Sequence, residues 1–265
     1  MQRDVFGKFL RDHLRALVGW FVAVVAVTAL YSSFWPAMEE SAEAMDAYME
    51  AMPQGVMEAM GWSDMTSPEG YLNATVFGIL TPVLMVIAAI MVGTRAIAGE
   101  EEEGGLELLL AHPVSRGRVV LQRFAALVAF LVVLGAGLVA TLLLLSPPTG
   151  IDIAAGRVVA AGTAVTLLAL AYGSVALAIG AATGRRAAAL AGAALLAAVG
   201  YLGNTFALQV EELEWLRFLS PFYYAQDPDP LNNGLDAGFT GVLVAVAVVL
   251  AGLALAAFSR RDVLV

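Results

Sequence analysis

The chain contains no cysteine and a single lysine, and only 14% of its 265 residues are charged. Without cysteine it can form neither a disulfide nor a thiolate metal site. The two histidines, His13 and His112, are too few and too far apart in sequence to suggest a zinc site. Lys8 precedes a phenylalanine, whereas a Walker A loop needs a lysine followed by serine or threonine. The sequence therefore excludes ATP hydrolysis by a P-loop and predicts neither enzyme activity nor a cofactor in this chain.

Apolar residues are abundant instead, at 60% of the chain, and the mean hydropathy is +0.81. Soluble domains carry roughly a quarter charged residues, so the composition is that of a membrane protein. Six uncharged runs each exceed the ~20 residues that cross a bilayer as a helix. The sequence thus predicts an all-α membrane protein with one transmembrane domain over residues 1–265. Its six transmembrane helices are placed approximately at residues 15–35, 71–97, 119–145, 157–183, 187–208 and 237–258.

The basic residues predict the orientation of these helices. If the N-terminus is cytoplasmic, 12 of the 14 Lys and Arg residues fall on the cytoplasmic side, and only Arg157 and Arg217 fall outside. This asymmetry follows the positive-inside rule. The run after the first fifteen residues is also too long for the apolar region of a cleaved signal. We therefore expect a multi-pass protein of the cytoplasmic membrane with both termini in the cytoplasm.

The two predicted outer loops contain unusual residues with two interpretations each. Four methionines of the loop 36–70 have spacings of 7, 4 and 3 and share one helical face: Met38, Met45, Met49 and Met52. They could bind Cu(I), or they could pack an amphipathic helix against the membrane or the bundle. The loop 208–236 is rich in aromatic residues, which indicate anchoring at the membrane interface or, less often, a substrate gate.

One charged block, Ala98–Arg118, separates the second and third apolar runs. Its glycines can end the second transmembrane helix, and residues 107–112 can form a short helix. Pro113 would end that helix, because the residue before a proline avoids the α region. Ser115 can cap the following helix. The block therefore suggests a cytoplasmic docking helix, although a solvated loop is the alternative that the run of four glutamates alone would favour.

The order of residues in this block resembles the ABC-2 family of ABC-transporter permeases. Two weaker similarities are Leu-Ser-Pro-Phe-Tyr-Tyr at residues 219–224 and Phe-Ser-Arg-Arg-Asp at residues 258–262. With six predicted spans, the resemblance covers nearly the whole chain. The residues of the block that follow the family pattern are Glu101, Glu102, Gly104, Leu106, Glu107, Leu108, Leu109, Leu110, Pro113, Val114, Ser115 and Arg116.

The resemblance implies the membrane subunit of an ABC exporter, with an N-terminal amphipathic elbow helix and a cytoplasmic coupling helix between spans 2 and 3. It implies re-entrant helices before span 6, a second permease copy or a homologous permease, and a separate ABC ATPase subunit that holds ATP and magnesium. Membrane lipids are expected partners and nucleic acid is not. The residues expected to contact the ATPase are Glu100, Glu101, Glu102, Glu103, Gly104, Glu107, Leu108, Leu109, Pro113 and Arg116.

Two other functions remain open at this stage. The first is an ABC-linked membrane factor for assembly or maturation, for example of copper enzymes, in which the methionine face would matter. The second is an ATP-independent secondary carrier, which the lack of ionisable residues inside the six uncharged runs makes less favourable. Nothing in the sequence indicates the substrate.

Overall fold

The computed structural model of the protein describes residues 5–53, 64–106, 114–207 and 211–261. Within these ranges the chain is helical and contains no β-strand. Six helices are long and apolar enough to cross a membrane, which confirms the predicted all-α membrane fold and the number of spans.

The helices are numbered here in chain order. Several of the six long ones extend beyond the predicted limits of the spans; the first, for example, continues to residue 40 rather than ending near residue 35. The helices are α1 (Val5–Asp12), α2 (Leu14–Glu40), α3 (Ala42–Glu50), α4 (Pro68–Glu102), α5 (Arg116–Thr149), α6 (Ala155–Thr183), α7 (Arg186–Ala207), α8 (Pro221–Gln226), α9 (Pro230–Asn233) and α10 (Ala237–Arg260), and a 3-10 helix (Glu211–Leu219) lies between α7 and α8.

Helix ends follow ordinary capping chemistry. The Ser115 side chain accepts a hydrogen bond from the backbone N–H of Arg118 at 3.3 Å, which confirms the predicted cap of α5. Asp236 caps α10 in the same way, through the N–H groups of Gly238 and Phe239. These two caps set the starts of α5 and α10, whereas α2 and α6 begin without a side-chain cap.

Helix α6 is the centre of the bundle and packs against α4, α5, α7 and α10. Its closest neighbour is α4, where two glycines face each other. A Cβ atom on Gly93 would lie 2.3 Å from the carbonyl oxygen of Gly173, so the backbones approach more closely than any side chain permits. Membrane helices associate partly through the dispersion energy of closely packed small residues, because the hydrophobic effect does not drive two helices together in lipid.

Helix α4 is not a regular α-helix along its length. The segments Asn73–Leu80 and Arg95–Gly99 are π-helical, and the first ends just before Thr81 and Pro82. Proline lacks the N–H that continues the ladder of helical hydrogen bonds, so a distortion is expected near Pro82. The structure places the irregularity in the preceding π-helical turns, where Thr81 N–H reaches back to the carbonyl of Val76.

The connection between α7 and α10 folds back onto one end of the bundle, called here the upper end. Phe222 and Leu231 are buried, and Gln226 Nε2 donates to the carbonyls of Phe77 and Gly78 in α4 at 3.2 and 2.8 Å. Asn73 Nδ2 donates to Asp229 Oδ1 at 2.8 Å, and Asp229 adopts a left-handed backbone with φ of 48°. Both hydrogen bonds of Gln226 thus end on carbonyl groups of the π-helical segment, and the Asn73–Asp229 bond joins the same segment to the start of α9.

Side chains of both predicted outer loops pack within the protein. Met38 and Met45 contact the hydrophobic core as partly buried residues, which favours the packing interpretation of the methionine face. Among the aromatic residues of the second loop, Tyr223 lies against Phe218 and Phe239, with ring centroids 5.2 and 5.4 Å apart. These contacts join α8 to the 3-10 helix and to α10.

Candidate docking end of the bundle

The opposite end of the bundle, called here the lower end, contains α1, the last turns of α4 and α10, and the first turns of α5 and α7. Six charged residues connect these elements and are called here the lower cluster. They are Glu100, Glu101, Glu102, Arg116, Arg123 and Arg261. The cluster contains three of the four consecutive glutamates and one of the arginines that the sequence assigned to a partner protein.

Arg123 is the most deeply buried member of the lower cluster, with a side chain that is only 1% exposed. Its guanidinium pairs with the carboxylate of Glu100, which is itself 17% exposed. The guanidinium carbon also lies 4.5 Å from the ring centroid of Phe9, the buried aromatic residue of α1. Arg123 thereby joins α5 to α4 by an ion pair and to α1 by a cation–π contact.

Glu101 and Glu102 make contacts with the other two helices that end here. Glu101 pairs with the guanidinium of Arg261, which directly follows α10. Glu102 Oε1 accepts a hydrogen bond from the backbone N–H of Arg186, the first residue of α7, at 2.8 Å. A carboxylate at a helix N-terminus satisfies a free N–H group and complements the helix dipole.

Arg116 stabilises the C-terminal end of α10, as Glu102 stabilises the N-terminal end of α7. Its Nη1 donates to the carbonyl oxygens of Phe258, at 3.3 Å, and Arg261. The guanidinium carbon also lies 5.8 Å from the Phe258 ring centroid. Carbonyl groups at a helix C-terminus carry partial negative charge, so a cation stabilises this end. The last turn of α10 is thus held by α5 through Arg116 and by α4 through Arg261.

Glu103 and Gly104 differ from the preceding glutamates. Glu103 is exposed, as is Glu102, but within the described ranges its side chain makes neither an ion pair nor a hydrogen bond. Gly104 has a φ of +72°, a left-handed conformation that glycine adopts without steric cost and that ends a helix. The chain therefore leaves the α4 helix at Gly104, as the sequence predicted. The remaining predicted partner contacts, Glu107, Leu108, Leu109 and Pro113, lie outside the described residues.

His13 lies between α1 and α2, beside the lower cluster. Its ring centroid is 4.0 Å from that of Phe9, and Nδ1 lies 2.9 Å from the Phe9 carbonyl oxygen, a distance at which an Nδ1–H donates. Burial lowers the pKa of His13 below its ordinary value of 6.5, and the nearby charges of Arg95 and Arg123 lower it further. The folded protein therefore favours neutral His13.

This shift predicts a loss of stability in acid. The unfolded chain binds the proton first, so the contribution of neutral His13 is complete above pH 6.5 and declines as the pH falls through the lower folded-state value. The decline is at most about 1.4 kcal/mol per pH unit. Melting temperatures at pH 7.5 and 5.5 should differ less for His13→Gln, which keeps an N–H donor but does not titrate. An equal difference in the two proteins would contradict the assignment.

Comparison with known families identifies the chain. The family model described as "ABC-2 family transporter protein" matches residues 4–263. The chain belongs to the ABC-2 transporter family. This ABC-2 protein is a multi-pass membrane protein, and the match spans both the lower cluster and the upper connection. No individual curated protein shows significant similarity to it.

Sequence reasoning on the ABC-2 protein missed Arg123. That residue counted only as a positive charge near the cytoplasm, yet the predicted span 119–145 already contained it. A guanidinium inside a membrane span needs a partner that balances its charge. The position of Arg123 within the predicted span was therefore the signal that could have identified it as a paired residue. The identity of the partner was hidden, since four adjacent glutamates are equivalent in the sequence and only the helical geometry of α4 distinguishes Glu100 from Glu103.

Proposed function

We propose that this chain is the membrane-spanning permease subunit of an ABC exporter, in which a separate ATPase subunit hydrolyses ATP. The observation that carries the proposal is the family match over residues 4–263. Two copies of the chain, or this chain and a homologous permease, would form the membrane part in the cytoplasmic membrane. In this arrangement the lower end faces the cytoplasm, in agreement with the distribution of basic residues.

The lower cluster supports a mechanical role for the connection between α4 and α5. Glu100, Glu101 and Glu102 link the end of α4 to α5, to the residue after α10 and to the start of α7. The Glu100–Arg123 and Glu101–Arg261 pairs are largely buried, and separating such charges in a medium of low dielectric is costly, so the ends of α4, α5 and α10 resist independent movement. Glu102 adds an exposed hydrogen bond to the start of α7. A force applied to residues 107–113 would consequently act on the bundle as a unit rather than on a single loop.

We assign two roles to the residues of the charged block. Glu100, Glu101, Glu102 and Arg116 hold the end of the bundle together. Glu103, Gly104, Glu107, Leu108, Leu109 and Pro113 form the coupling segment that contacts the ATPase, with the leucines entering an apolar groove and the glutamates meeting basic residues. Glu103 makes no side-chain contact within the described ranges, whereas the three preceding glutamates each contact another helix end, which supports this division.

Charge reversal in the coupling segment tests the proposal. Glu107→Lys should reduce the amount of ABC ATPase that co-purifies with the tagged permease at least tenfold, because a favourable contact becomes a like-charge repulsion. The matched control is Glu214→Lys, at an exposed glutamate of the upper end, which should leave co-purification unchanged. Equal ATPase recovery with both variants would refute the assigned contact.

A further inference from the structure

An apolar groove lies between the α1–α2 corner and α5 at the lower end of the bundle. It has a volume of about 260 Å³, and its walls include Leu14 and Leu17 on one side and Phe130 and Val133 on the other. Among the described residues, Arg11 is the one charged residue that lines it. Leu14 and Val133 are 54% and 42% exposed, so the groove opens onto the outer surface of the bundle, where lipid surrounds a membrane protein.

Three basic residues belong to the two helices of the α1–α2 corner, and one of them, Arg11, lines the groove. Lys8 and Arg11 lie three residues apart on α1, Arg15 lies in the first turn of α2, and all three are exposed. None forms an ion pair with another residue of the described ranges. Arg11 Nε donates to the Gly7 carbonyl at 3.2 Å, which orients the guanidinium and leaves its two terminal nitrogens available. Asp12 is the single acidic residue in this stretch.

We propose that this groove binds one anionic phospholipid. An acyl chain would lie between Leu17 and Phe130, and the phosphate would meet Arg11, with Lys8 and Arg15 adding to the positive potential. An apolar slot with bases at one end is complementary to an amphiphile that carries a negative headgroup. This inference does not depend on the proposed ATPase partner.

The charge pattern favours a lipid over a second copy of the chain as the occupant. A copy related by twofold symmetry would bring the same three bases to the same place, where like charges repel. The groove is also smaller than the pockets of roughly 300–1,000 Å³ that hold drug-sized ligands. A single acyl chain needs little width and gains dispersion energy from each methylene that contacts the apolar walls of the groove.

Native mass spectrometry of the delipidated protein tests the proposal, with phosphatidylglycerol and phosphatidylcholine of identical acyl chains as probes. The wild type should retain phosphatidylglycerol in preference to phosphatidylcholine. Arg11→Gln should reduce that preference about fivefold, the ratio expected for one basic residue near a lipid surface. Arg260→Gln removes an exposed charge of the lower end away from the groove and should change nothing.

A second pair of variants tests the groove itself. Val133→Phe should fill the slot and lower retention of phosphatidylglycerol several-fold. Val132→Phe, at a neighbouring and more exposed residue that does not line the groove, should have no effect. Equal retention of the two lipids by the wild type, or equal retention by both phenylalanine variants, would overturn the proposal. A change of oligomeric state specific to Val133→Phe would also overturn it, because it would show that a second copy occupies the groove.

Discussion

Glu100→Ala should lower the free energy of unfolding by about 3–5 kcal/mol, because it leaves the buried guanidinium of Arg123 without a counter-charge. Two other nitrogens of Arg123, Nε and Nη1, already have no hydrogen-bond partner in the described part of the chain. Little can therefore compensate for the lost carboxylate. We expect a large fall in melting temperature in detergent and a low yield of folded protein.

The run of four glutamates provides its own control for this experiment. Glu103→Ala also removes a glutamate side chain, but at an exposed position three residues further along the chain. It should change the free energy of unfolding by less than about 0.5 kcal/mol. The double variant Glu100→Leu with Arg123→Met should be more stable than Glu100→Ala alone, since removing both charges avoids the desolvation cost. Similar losses for Glu100→Ala and Glu103→Ala would show that the Glu100–Arg123 pair is not buried as described.

Gly93→Ala is the second change for which we expect a large effect. A Cβ at this position would lie 2.3 Å from the Gly173 carbonyl oxygen and 3.2 Å from the Ala176 side chain. Backbone atoms of α6 cannot move aside without separating the two central helices. Overpacking of this kind costs about 1–3 kcal/mol, and we expect the melting temperature to fall accordingly.

Gly252→Ala is the matched control, in helix α10. A Cβ at Gly252 has no heavy atom within 4 Å, so alanine should raise helix stability, by about 0.5–1 kcal/mol in a soluble helix. The two glycine-to-alanine changes are therefore expected to have opposite signs. A stabilising effect at Gly93 would contradict the close contact between α4 and α6.

The apolar runs were sufficient to predict the six long helices, because each run must remain helical to satisfy its backbone in the absence of water. The helix ends at Ser115 and Gly104 were also predictable, since caps and left-handed glycines act locally. The lower cluster was not predictable. Arg261 and Glu101 are 160 residues apart in sequence, and their contact depends on the packing of α10 and α4 at one end.

The sequence did not distinguish the four glutamates of the charged block, and the family resemblance assigned all four to the ATPase. Successive residues of a helix point about 100° apart. Glu100, Glu101 and Glu102 consequently contact α5, the residue after α10 and the start of α7, whereas Glu103 makes no such contact within the described ranges. Their contribution to a transport cycle would be to keep four helix ends together while the adjacent segment receives force.

Isolation of the tagged chain from its native membrane tests the central claim most directly. We expect an ABC ATPase to be present in stoichiometric amount and the isolated complex to hydrolyse ATP. The double variant Leu108→Asp with Leu109→Asp should reach the membrane and keep the melting temperature of the wild type but lose both the ATPase and the activity. Isolation of the intact wild type without an ATPase and without ATP hydrolysis would contradict its role as an ABC permease.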